Sequence, residues 1–128
     1  MKYLLDTRTY YWFRHSPAQI PSKSFELLTD ATTEVLISVV TPWELAIKAG
    51  TGKWDVMDLL VDFESRERAA GFSIISTTTA EVIRSGLLAS HHRDPFDRLL
   101  IAQALDLRVP IVSNDRIFDL YGVQRIWD

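Results

Sequence analysis

No cysteine occurs in the 128 residues of this chain. That removes a disulfide framework and any thiolate metal site, and it suits a reducing compartment such as the cytoplasm. Nor is there an apolar run of the roughly 18 residues that a membrane helix needs. The N-terminal stretch "MKYLLDTRTYYWF" offers only a short apolar run cut off by Asp6, too little for a signal peptide. An excess of positive charge is missing as well: 14 Lys and Arg stand against 17 Asp and Glu, a formal net charge of −3. That argues against a broad basic surface for nucleic acid, but not against nucleic acid gripped locally, with metal ions supplying positive charge. Repeats, low-complexity segments and linkers are absent, so residues 1–128 read as one domain, long enough to bury a core.

What is present alternates short apolar runs with amphipathic stretches. "KYLL" (2–5), the β-branched "EVLISVV" (34–40), "FSII" (72–75) and "PIVS" (110–113) read as strands, with "VQRI" (123–126) as an edge strand. Helices are expected at 9–15, 22–31, 42–50, 56–71, 80–89, 95–108 and 116–122. The third closes on Gly50, a helix-stop signal, and the fourth carries apolar residues at 56, 59, 60 and 63, one helical face. Strands alternating with helices imply βαβ units. The expected fold is a three-layer α/β/α sandwich around a four- to five-stranded, mainly parallel sheet.

In such a sheet the C-terminal strand ends and the following helix N-termini share one edge, where ligands of open α/β sheets bind. Asp6 ends the first strand, Glu44 begins the helix after the second, Asp97 begins the helix at 95, and Asp115 follows "PIVS". Four acids distant in sequence are thus delivered to one rim. Each taken alone also fits a helix cap. "TPWE" (41–44) and "DPFD" (94–97) share the order cap, proline, aromatic, acid, in which the acid reaches back to the N-cap N–H. Capping does not require convergence, however, and like charges 4 Å apart repel by roughly 4 kcal/mol at an effective dielectric of about 20. Protons or a hard divalent cation relieve that repulsion. Oxygen ligands without a histidine pair favour Mg²⁺ or Mn²⁺ over zinc, and such an ion beside an anionic substrate is suited to phosphodiester hydrolysis.

"LLDT" (4–7), "TPWELAIKAGTGK" (41–53), "HHRDPFDRLLIAQAL" (91–105) and "IVSND" (111–115) resemble the PIN-domain nucleases, especially the VapC-type ribonuclease toxins of toxin–antitoxin pairs. The resemblance spans essentially the whole chain. It implies a metal-dependent endoribonuclease acting on RNA, inhibited by a small cognate antitoxin and commonly a homodimer. It places the acidic quartet on Asp6, Glu44, Asp97 and Asp115, as Mg²⁺ or Mn²⁺ ligands, with Asp94 as a secondary candidate. Thr7, Ser38 and Asn114 are candidates to support the ligands, beside the plainer reading of ordinary turn bonding. Arg8, Arg93, Arg98 and Arg116 flank the rim as contacts for RNA phosphates or as solvated charge. Such relatives carry histidine where this chain has Arg8; an arginine there can pair with Asp6 or grip a phosphate. His91 and His92 are adjacent, so they cannot face one ion as an i,i+4 pair would; they read as solvent-exposed or as a loop position near substrate. Trp12, Trp43, Trp54 and Trp127 read as core or interface anchors.

Two other classes share an Asp–Mg²⁺ rim. A receiver domain needs an adjacent acidic pair after its first strand, and a phosphatase of the haloacid dehalogenase type needs Asp-x-Asp; here Asp6 is followed by Thr7 and Arg8. A catalytically inactive RNA- or partner-binding domain is the remaining alternative, and it predicts no stabilisation by Mn²⁺.

Overall fold

Buried apolar runs, Tyr3 to Leu5, Val35 to Ile37 and Ile111 to Val112, fill the central strands, and alternate side chains leave opposite faces of the sheet. In the computed structural model, which describes all 128 residues, the strands are β1 (Lys2–Leu5), β2 (Glu34–Ser38), β3 (Ser73–Ile75), β4 (Ile111–Val112) and β5 (Arg125–Ile126). They form one sheet in the order β3-β2-β1-β4-β5, and all four pairings are parallel. Tyr3, Leu5, Val35, Ile37 and Val112 face one core, completed by Tyr10, Leu45 and Phe63. Leu4, Leu36 and Ile111 face the other, completed by Leu100, Ile101 and Phe118. This is the expected three-layer α/β/α arrangement.

Helices connect the strands: α1 (Thr7–His15), α2 (Ser22–Thr29), α3 (Val40–Gly50), α4 (Met57–Leu60), α5 (Phe63–Ala69), α6 (Thr79–Leu87) and α7 (Pro95–Leu107). A 3-10 helix, Arg116–Tyr121, follows β4. The chain moves outward from β1 through β2 to β3, then returns to lay β4 against the other side of β1. Strand order therefore reverses at the β1/β4 crevice, whose carboxyl end is where such folds bind ligands. Val40 packs in one core and Leu45 in the other, so α3 crosses the sheet edge at that end. No helix is long and apolar enough to cross a membrane.

Three local expectations need correction. The strand expected to reach residue 40 stops at Ser38, whose buried Oγ accepts from Val40 N at 3.1 Å. Consequently α3 begins at Val40, not beyond Thr41. Pro42 falls among the first helical residues, whose N–H groups have no intrahelical partner to lose, and the capping box expected at 41–44 does not form. The helix expected over 56–71 is broken at Asp62, which adopts a left-handed backbone with φ of 51°. Arg66 satisfies carbonyls freed by the break, donating to Leu59 O at 2.6 Å and to Asp58 O at 3.3 Å.

Candidate metal centre

Because Asp6 follows β1 directly, its carboxylate lies at the crevice with only 5% of the residue exposed. It caps α1, accepting from Thr9 N at 2.8 Å through Oδ1, and accepts from Ser113 Oγ at 2.6 Å through Oδ2. Ser113 directly follows the neighbouring strand β4, and its Oγ also accepts from Asp115 N at 3.0 Å. One hydroxyl thus ties together the acids that follow β1 and β4. Asp115 caps the 3-10 helix, accepting from Ile117 N.

Glu44 reaches the same rim from α3, with 4% exposed. Its Oε2 accepts from Lys48 Nζ at 2.6 Å, one helical turn on, while Oε1 is buried without any hydrogen-bond partner. Asp97 lies in the first turn of α7. Its N–H is capped by Asp94, and its own Oδ2 lies 2.8 Å from His92 Nε2, so it does not reach back to the backbone. Ligand atoms of His92, Asp97 and Asp115 all lie within 4.8 Å of one another. Thr7, Glu44, Lys48, Asp97, Asn114 and Asp115 are among the residues lining a cavity of about 90 Å³.

The charges register one another. Burial pushes the Asp6 carboxyl up, the Ser113 and Thr9 hydrogen bonds hold it down, and Glu44 adds to the rise. Asp97 is pushed up to about 7, first by burial; His92 opposes the shift, and Asp94, Asp6 and Glu44 reinforce it. The fold gathers several carboxylates around this cavity, and Glu44 Oε1 is a buried acceptor without a hydrogen-bond partner. Carboxylate oxygens with one imidazole can coordinate a metal ion, and this set fits a hard divalent one.

The supporting residues separate. Thr7 lines the cavity with its hydroxyl 3.3 Å from that of Thr41. Asn114 also lines it, whereas Ser38 serves the α3 turn instead. Arg8 is exposed at the cavity wall with its guanidinium 5.9 Å from the Trp12 ring centre, not paired with Asp6. Arg93 and Arg116 are exposed. Arg98 corrects its expected role: its guanidinium donates to the carbonyls of Ser85, Gly86, Leu88, Ala89 and His92, leaving none of its fork for RNA. His92 corrects the other way, being half-buried against Asp97 and not merely exposed. Its backbone N–H donates to Tyr121 Oη at 2.8 Å, which the sequence spacing did not reveal. Lys48 and Ser113 were also missed. The i,i+4 spacing of Glu44 and Lys48 was the available signal for the first, and the position of Ser113 at a strand end beside β1 was the signal for the second.

Solved structures with the same fold include VapBC2 from Rickettsia felis bound to a promoter DNA fragment, at a TM-score of 0.73, 18% identity and full coverage of both chains. VapBC-1 from nontypeable Haemophilus influenzae matches at 0.61 and 19% identity, covering 98% of this chain and 97% of that one. FitAcB from Neisseria gonorrhoeae matches at 0.64 and 16%, covering 97% and 96%. A comparison with curated protein sequences returns no match. The PIN domain model matches residues 3–123, nearly the full length and every acid of the rim, and the chain belongs to the PIN domain family.

Proposed function

We propose that this protein is a divalent-metal-dependent endoribonuclease and the toxin of a toxin–antitoxin pair. The observation that carries the reading is the convergence of Asp6, Glu44, Asp97 and Asp115 on one rim, with a buried Glu44 oxygen left unpartnered. These four acids are the ligands for Mg²⁺ or Mn²⁺. When bound, such an ion supplies an activated water and neutralises charge developing on the phosphoryl group. The protein's own contribution is to hold the acids still. Ser113 and Thr9 orient Asp6, Lys48 fixes one oxygen of Glu44 so that the other stays free, and His92 aligns Asp97. Asp94 acts as the cap of α7 and adds negative charge near Asp97.

The toxin assignment is supported by likeness to VapBC and FitAB assemblies and to a toxin–antitoxin complex from Klebsiella pneumoniae. Apolar side chains exposed along α6, Val82, Ile83 and Leu87, offer a surface for an antitoxin or a second copy. The test is cleavage of single-stranded and structured RNA by pure protein. Cleavage appears with Mg²⁺ or Mn²⁺ and stops with chelator; cleavage that survives chelator overturns the metal reading. Growth arrest on expression, relieved by the product of a small adjacent reading frame, tests the toxin assignment.

A further inference from the structure

An acidic rim repels the phosphodiester backbone it is proposed to cut, so a nuclease of this kind needs cations where the strand leaves the site. One flank of the rim has them. A cleft of about 420 Å³ shares Glu44, Lys48 and Asp94 with the acidic cavity and continues past Ile47, Lys53 and Phe96. That volume falls within the range of about 300–1,000 Å³ typical of small-ligand sites. Lys48 stands at the boundary, its Nζ 2.6 Å from Glu44 Oε2 and 4.0 Å from the centre of the Trp54 ring. Beyond it α3 ends, Gly52 turns the chain at φ of 75°, and Lys53 N donates to Lys48 O at 2.9 Å. The turn brings the second lysine back beside the first. Lys53 is exposed and pairs with no carboxylate.

The opposite character appears on the apolar wall. Ile47 is 43% exposed. Phe96 is half-buried and braced edge-on by Trp43, with ring centres 4.6 Å apart and planes at 76°. A braced apolar face beside one unpaired ammonium, that of Lys53, matches a nucleotide, which presents a flat base and a phosphate together. We propose that this cleft holds the nucleotide adjoining the scissile phosphodiester, with Lys53 contacting its phosphate and Ile47 and Phe96 supporting its base, while Lys48 stays on Glu44 at the boundary with the acidic cavity. The proposal rests on the ribonuclease reading of the neighbouring rim, and it names Lys53 as a binding residue outside the acidic quartet.

The experiment measures binding of a short fluorescein-labelled single-stranded RNA by anisotropy, with Ca²⁺ present to slow turnover, together with Mn²⁺-dependent cleavage. Lys53→Ala weakens binding about 3-fold and lowers the slope of log affinity against log salt by about 0.7, and Lys53→Glu weakens binding about 10-fold. Both variants keep the Mn²⁺-induced rise in melting temperature, which shows an intact fold and metal centre. Equal RNA affinity in wild type and Lys53→Glu overturns the subsite, even where cleavage itself proceeds. If RNA binds in a Lys53-dependent way but is never cut, the subsite stands and the ribonuclease reading falls. No RNA binding at all sinks both. If Lys53→Glu leaves RNA affinity intact but abolishes binding of poly-glutamate, the cleft belongs to an acidic protein partner and the proposal is overturned.

Discussion

At Asp97, burial and the charges of Asp94, Asp6 and Glu44 lift the carboxyl to about 7 against the opposing pull of His92. Its folded value therefore lies above the unfolded one of about 3.9. Between those values the native state holds a proton that the unfolded chain has released, so metal-free protein loses this contribution to stability as pH rises from about 4 to about 7. A divalent ion competes with that proton. The Mn²⁺-induced shift in melting temperature is expected to be small near pH 5 and to reach its full size only above about pH 7. A shift independent of pH would remove Asp97 from the ligand set. Asp97→Asn imitates the protonated form, so it should keep the fold and the metal-free stability seen at low pH while abolishing both the Mn²⁺ shift and RNA cleavage. A variant that merely lost a cap would behave otherwise, losing about 1 kcal/mol with activity retained.

Helix α7 depends on two devices at its start, and each belongs to a different neighbour. Asp94 caps it by accepting from Phe96 N at 2.8 Å and Asp97 N at 3.2 Å. Asp94→Ala should cost about 1 kcal/mol in denaturant unfolding. Arg98, one turn in, binds five carbonyls across Ser85–His92 and so ties the end of α6 and the following loop to α7. Arg98→Lys keeps the charge but lacks the fork, and is expected to cost about 2–3 kcal/mol. Hydrogen exchange should then rise over residues 85–92, and His92 should lose its fixed approach to Asp97. Unchanged exchange there would deny Arg98 this structural role. These elements also show which parts of the fold were legible in sequence. The strands and the "DPFD" cap follow from local pattern, and the four acids reach the rim because strand ends and helix starts must lie there. The position of His92 depends on a loop whose shape is set by Arg98 and Tyr121, residues 6 and 29 positions away, so no spacing rule reaches it. The break at Asp62 is similarly hidden, because the apolar period continues across it and Arg66 supplies the compensating donors.

Across the whole molecule the sheet separates two cores of different character. Each side buries a polar group: α7 carries Gln103, which donates to Glu81 of α6, whereas the side bearing α1 and α5 encloses the charged Glu67 with no exposed surface. Tyr10 Oη and Arg14 both donate to Glu67, and Arg66 approaches to 3.5 Å. These contacts clamp α1, whose N-terminal cap is Asp6, to α5. Removing one partner of a buried charge costs far more than the net worth of the pair, so Arg14→Met should destabilise by about 3 kcal/mol. Tyr10 adds a pH signature of its own. Burial first, then its hydrogen bond to Glu67, push the phenol from 10.0 up to about 12. The folded value is raised above the unfolded one, so this contribution is complete below pH 10 and disappears as pH climbs to about 12. Circular dichroism across that range should show loss of stability together with ionisation of a buried tyrosine. In Tyr10→Phe the phenol is gone and the step should vanish, leaving Glu67 to its arginines. If the variant retains the same alkaline transition, the Tyr10–Glu67 contact is not what holds α1 against α5 at high pH.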